Sequence, residues 1–243
     1  MTIIELDLSP ERYRAETRNF SIFWWLILPL ATVFLIPVLA RYYPEFFRYW
    51  IQSEVVGVME FTHFLFPVLA AFIGIRLLFF QEIRSDSFVL FWVLAMIGGC
   101  IYIGGEEASW GQHYFGWTTP EILSRINDQN ETNLHNISSW LDQKPRAILL
   151  TGIIVGGLIF PWFIMYRPGK LPGRYNFIYP PKATIFLSLL VMFGLIYGSV
   201  RGYLIPDEWN RLRSGEWLEL YYSWFLLYYA LFLLWRAKNL QKQ

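Results

Sequence analysis

The chain is 243 residues long, 55% hydrophobic and 20% aromatic, with only 16% charged residues and a net charge of +1. A soluble domain carries about 25% charged residues, so this deficit, with a mean hydropathy of +0.34, places the chain in the membrane class. Near-neutrality without a basic cluster or a Gly-rich phosphate loop argues against a nucleic-acid partner, and a lone cysteine, Cys100, excludes internal disulfides and Cys-rich metal sites.

Residues 1–20 (MTIIELDLSPERYRAETRNF) read as a short cytoplasmic lead lying on the membrane surface. Six apolar runs follow, at 21–40, 61–80, 88–105, 147–166, 183–200 and 220–235. Each is near the ~20 residues that cross ~30 Å of hydrocarbon as a helix. Helix is the expected form, because backbone groups in lipid must be paired within the segment. The first run reads as a retained helix, not a signal peptide: its apolar core is too long and no A-x-A site follows. In the last run, Tyr221, Tyr222, Trp224 and Trp235 are expected to anchor the helix at the two interfaces.

Between the first two runs, 41–60 mixes aromatic and charged residues as an interfacial helix does. Residues 81–87 predict a tight turn. The third connection, 104–146, predicts a structured helical outer lid or site loop. In it Thr119-Pro120 predicts a helix through about Asn127. Asp128 with Glu131 has capping-box spacing and predicts a second helix to about Asp142, closed by Lys144 and Pro145. Residues 167–182 read as a solvated linker rich in Pro, Gly and basic side chains, and 201–219 as a second outer loop. The fold class is therefore all-α: one polytopic membrane helix bundle over 1–243, with about six transmembrane helices. Twelve of the 20 Lys and Arg fall on the side of the N-terminus, which predicts cytoplasmic termini and an outward-facing 104–146. The protein is expected to be integral to a cell membrane, the inner one in a bacterium.

The polar residues gather on that outer side. Glu60 and His63, three apart, share a helical face at the start of the second run. Glu106 and Glu107 end the third. If that helix continues, Glu106, Ser109 and His113 share a face, and Glu131 and His135 lie four apart. Ionisable groups at membrane depth are costly and mark functional sites. Carboxylate with imidazole is a ligand set for a divalent metal, Zn, Mn or Fe, with Glu60, His63, Glu107 and His135 as ligands. The Glu-x-x-His spacing echoes helix-bundle di-iron sites. Acid–base roles fall to Glu106, Glu107, His113, Glu131 and His135. Plainer readings stand beside these. Glu131 is then a capping residue, Glu107 pairs with Arg201, Arg211 or Arg213, His63 is a hydrogen-bonded core histidine, and His113 belongs to the interface. Gly104, Gly105 and Gly111 permit a helix break, and Trp110, Trp117 and Trp140 are expected to wall a cavity at headgroup level.

The pentapeptide Ser109-Trp-Gly-Gln-His113 resembles the Ser-x-x-x-His element of the alkaline ceramidase group of membrane zinc amidohydrolases. That resemblance implies seven helices and a zinc site. It covers five residues; no histidine follows His135 and six runs are present, so the family's chemistry is not carried over. Three functions remain. The first is an outer-interface hydrolase or transferase acting on a lipid or lipid-linked substrate. The second is a non-enzymatic subunit binding protein partners in a membrane complex. The third is a proton-coupled transporter.

Overall fold

Ser9 and Pro10 open the first helix, α1 (Pro10–Thr17). The Ser9 hydroxyl accepts the Arg12 amide at 3.3 Å, and proline supplies a first-turn φ at no hydrogen-bonding cost. The computed structural model describes residues 4, 6–53, 57–127, 131–134, 137–204 and 214–241, with the backbone alone for 139, 141–142, 201–204 and 214. All regular elements among the described residues are helical.

A π-helical turn (Phe23–Ile27) leads into α2 (Leu28–Tyr42), and a sharp corner at Tyr43 starts the short α3 (Pro44–Phe46) with its own π-helical turn (Phe47–Ile51). This corner buries Phe47 and exposes Phe46, Tyr49 and Trp50. Next come α4 (Val58–Leu77), the one-turn α5 (Gln81–Ser85) and α6 (Ser87–Glu107). Asp86 caps α6: one oxygen accepts the amides of Phe88 (3.0 Å) and Val89 (3.2 Å), and the other accepts that of Ile4 (3.1 Å). The 104–146 connection, called the lid as a label only, contributes α7 (Gln112–Phe115) and α8 (Glu121–Ser124). Then α9 (Ser139–Ile154), a π-helical turn (Val155–Ile159) and α10 (Phe160–Tyr166) form one continuous rod, followed by α11 (Thr184–Leu204) and α12 (Ser214–Leu240).

Five helical stretches are long and apolar enough to cross a bilayer: Phe23–Tyr42, Val58–Leu77, Ser87–Glu107, Gln143–Tyr166 and Gly215–Leu240. The sequence predicts six; the remaining run, Thr184–Val200 in α11, is shorter. Pro145 does not close a lid helix. It lies inside α9, which runs through it into the fourth apolar stretch.

The last helix sits at the centre. Most of α12 is buried, on all of its sides, which fits a helix that is apolar all round. Tyr221, Tyr222 and Trp224 are therefore core residues and not interface anchors. Several tyrosine hydroxyls of α12 find partners elsewhere in the fold. The Tyr221 hydroxyl lies 3.1 Å from Thr32 Oγ1, and that of Tyr229 donates to the Ile178 carbonyl (2.6 Å) while accepting Trp92 Nε1 (2.9 Å). Backbones approach closely where glycine allows it. A Cβ built on Gly157 would stand 1.8 Å from Ser188 Oγ and 3.1 Å from the Phe225 ring. Gly157→Ala is expected to cost about 1–3 kcal/mol by overpacking, read as a lower melting midpoint in detergent; an unchanged midpoint would contradict this packing.

At the far end of the bundle the 167–182 connection divides: 167–170 and 172–174 are exposed, as a solvated linker is, and 177–181 are packed. Phe177, Ile178 and Tyr179 are buried. The cause is Arg236, near the end of α12. Its Nη1 donates to the carbonyls of Asn176 (2.7 Å), Phe177 (2.8 Å) and Tyr179 (2.8 Å), while Nε and Nη2 donate to Glu16 on α1 (3.2 and 2.7 Å). The lead segment is thereby locked onto the last helix.

Candidate functional site

Three helix ends meet at the lid end of the bundle. The start of α4 carries Glu60 and His63, the last residue of α6 is Glu107, and the first turns of α12 carry Glu216 and Glu219. Helical spacing puts Glu60 and His63 on one face, as the sequence predicts. His63 is fully buried. Its Nδ1 faces three carboxylates, at 3.8 Å from Glu60 Oε2, 4.0 Å from Glu107 Oε2 and 3.8 Å from Glu219 Oε2. These separations exceed a hydrogen bond, and neither ring nitrogen has a partner among the described residues. The main chain of Glu216 lies beside the ring, outside hydrogen-bonding geometry.

Ligand atoms of Glu60, His63 and Glu107 all lie within 4.8 Å of one another. Two ligands of a tetrahedral ion at about 2.1 Å stand roughly 3.4 Å apart, so a small inward shift would close the three around a cation. Their neighbours are ordered. The Tyr222 hydroxyl donates to Glu107 Oε1 (3.0 Å), Arg146 on α9 donates to Glu219 Oε1 (3.1 Å), and Gln52 donates to Glu216 Oε1 (2.8 Å). Glu219, Arg146 and Tyr222 are site residues that motif reasoning does not single out. Glu216-x-x-Glu219 at the border of the last apolar run is the same signal, acids at a span edge, as Glu106-Glu107. The pairing of Glu107 with Arg201, Arg211 or Arg213 falls on side chains outside the described residues.

The two adjacent glutamates part company. Glu106 faces the lid, where Oε1 accepts Trp110 Nε1 (2.7 Å) and Oε2 accepts the Leu134 amide (2.8 Å). The helix does not continue past them. Ser109 (φ 45°) and Trp110 (φ 54°) are left-handed, and Gly111 (φ 106°) completes the break, at about 1–2 kcal/mol for each non-glycine residue. Trp110 folds back over Gly105, where a Cβ would meet the ring at 2.9 Å. This reversal, not helical spacing, brings Ser109 Oγ to 3.0 Å from His113 Nε2.

Glu131 closes a second polar cluster. Its Oε1 lies 3.4 Å from His113 Nε2, and its Oε2 accepts Ser109 Oγ (3.2 Å) and Asn133 Nδ2 (2.6 Å). The 131–134 segment is not helical, so the helix expected from Asp128 does not include it, and the Glu131 carboxylate serves the lid interior instead of a cap. Asp128 and His135 lie outside the described residues. Thr119 does not cap α8, which is one turn long; its hydroxyl accepts Gln112 Nε2 (2.9 Å). The segment is held by side chains that replace missing backbone pairs: Gln112 accepts the Thr132 amide (2.6 Å), and Asn127 donates to the Glu131 carbonyl (2.9 Å). Trp110, Trp117 and Trp140 are all substantially exposed and do not wall an interior cavity.

The Glu131 carboxyl is held below the ordinary 4.5, first by the His113 hydrogen bond and also by those of Ser109 and Asn133, against partial burial, which raises it. A carboxyl whose folded value lies below its unfolded one stabilises the fold above that unfolded value, and the contribution is lost as pH falls through the folded one. Amide protection at 131–134, corrected for intrinsic exchange, is therefore expected to hold above about pH 4.5 and to fall below it. Glu131→Gln is expected to remove that pH dependence; a variant that keeps it would refute the assignment.

Comparison with protein-family models, with curated proteins and with solved structures finds no match to this chain.

Proposed function

We propose that this protein is an integral membrane metalloenzyme, with a divalent cation, Zn, Mn or Fe, held by Glu60, His63 Nδ1 and Glu107 at the lid end of the bundle. One observation carries the reading: a fully buried histidine faces three carboxylates at 3.8–4.0 Å, and neither of its ring nitrogens has a partner among the described residues. A buried imidazole left this way is costly, and a cation at Nδ1 would satisfy that nitrogen and balance the carboxylates that face it. Three protein ligands with a fourth position open is the pattern of catalytic sites. A bound cation supplies Lewis acidity and a water activated near neutral pH. Glu219 then stands beside the open position as general base. Tyr222 and Arg146 fix the orientation of Glu107 and Glu219.

The substrate is a lipid or lipid-linked molecule, because the site lies where apolar spans end, at headgroup depth. Hydrolysis or group transfer suits these groups. Glu106 holds the lid, and the His113–Glu131 pair, partly exposed at the lid surface, shuttles protons to the site with His135. We read α11 as a sixth crossing. The Arg236–Glu16 pair supports this, since it puts the segment before the first span beside the end of the last, which requires an even number of crossings. With cytoplasmic termini, the site faces outward. A partner-binding role for the same face draws on the exposed Phe115, Ile122 and Trp140.

Elemental analysis of protein purified in detergent is expected to find about one divalent ion per chain, lost in a Glu60→Gln, His63→Gln double variant. Wild-type protein that carries none, and whose melting midpoint does not move on titration with Zn, Mn or Fe, would sink the reading.

A further inference from the structure

The charges around the site select a substrate class. Glu60 and Glu107 together carry the charge that balances one divalent ion, Glu219 meets Arg146 beside it, and Glu216, which accepts from Gln52, lies one turn away on α12. The Glu219 carboxylate spans the space between Arg146 and His63: Oε1 takes the guanidinium at 3.1 Å, and Oε2 faces His63 Nδ1 at 3.8 Å. An anion already occupies the bridging place between a guanidinium and the position of the cation. Arg146 sits at the head of the Gln143–Tyr166 span, and its side chain is 39% exposed, so a group at headgroup depth can reach it. Arginine matches phosphate oxygens in a planar fork, and a guanidinium with a metal ion is the clamp that stabilises charge developing on a phosphoryl group.

We propose, building on the metal-site reading above, that the substrate carries a phosphate ester, with one non-bridging oxygen on the cation and another on Arg146. Binding frees Glu219 from Arg146. The reaction is hydrolysis. A water oxygen forms a bond to phosphorus, the ester P–O bond breaks, and the water proton passes to Glu219 and on to the departing oxygen. The products are an alcohol and a phosphate that takes up the water oxygen.

The test uses the full chain, loaded with Mn(II) in a phosphate-free maltoside detergent, with inorganic phosphate as probe and 31P relaxation as readout. Wild type is expected to give saturable paramagnetic enhancement. Arg146→Gln is expected to weaken it about tenfold while binding Mn(II) at the wild-type ratio, and Arg146→Lys to fall between the two. Short-chain phosphatidate that displaces the probe at lower concentration than phosphate itself identifies a lipid headgroup; equal potency identifies a free phosphate. Stoichiometric Mn(II) without enhancement in wild type, or Arg146→Gln with unaltered enhancement, overturns the phosphate assignment and leaves the metal site standing. No bound Mn(II) overturns the phosphate assignment on that ion, and a protein that takes up none of Zn, Mn or Fe overturns the metal site as well. The wild-type measurement decides the question even if a variant fails to fold.

Discussion

Glu107→Gln is expected to weaken metal binding by about a hundredfold or more, while Glu106→Gln, one residue away, keeps the ion. Removing only an outer-shell partner costs about 10–100-fold in metal affinity, and Glu107 loses a charged ligand as well. Its Oε2 faces His63 and its Oε1 is oriented by Tyr222. Glu106 looks the other way, to Trp110 Nε1 and the Leu134 amide. Its amide variant should instead loosen the lid, because the replacement retains only one acceptor oxygen for two donors. Metal competition titration and hydrogen exchange at 131–134 separate the two effects. Equal loss of metal in both variants would mean that the glutamates act as one acidic patch.

Glu16→Ala or Arg236→Ala is expected to destabilise the protein by about 3–5 kcal/mol, the cost of stranding one charge of a buried pair. Both side chains are almost completely buried, and the guanidinium meets Glu16 at 2.7 and 3.2 Å. The effect should exceed that of a single ion pair. Arg236 also holds three main-chain carbonyls of the 176–179 segment, which no other residue then satisfies in the same way. Glu16→Ala leaves that cation buried with carbonyls alone. Arg236→Ala leaves both the carboxylate and the carbonyls without it. A melting midpoint in detergent within a few degrees of wild type for both variants would show that the clamp contributes little. The double variant should lose less than the sum of the two, because the partners are coupled.

The membrane class and the helical form were legible in composition and run length, since apolar segments of this size have few other stable states in lipid. The pairing of Glu60 with His63 was legible too, because a three-residue spacing has only one geometric meaning on a helix. The lid was not. Its sequence offers Thr119-Pro120 and Asp128 with Glu131 as helix starts, and local propensity alone favours both. In the folded chain, left-handed Ser109 and Trp110 turn the backbone over Gly105, and Gln112, Asn127 and Glu106 capture the backbone groups of 131–134. Those bonds run between residues up to 28 apart in sequence, and no local pattern encodes them.

Tyr221, Tyr222 and Trp224 illustrate the same limit. Aromatic residues near a span edge suit either an interface or a core, and only the placement of α12 among the other helices decides between them. By itself, then, the sequence determined that the chain is helical and built for lipid, and that its few acids and histidines concentrate near the ends of particular spans. Only the tertiary structure decided which of them meet. Glu107 turns towards His63 and Glu106 towards Trp110 and Leu134 from adjacent positions, and Glu219 and Arg146 arrive from helices distant in sequence. The physical reason is that burial and charge pairing depend on which helix faces pack together, a property of the whole bundle and not of any one segment.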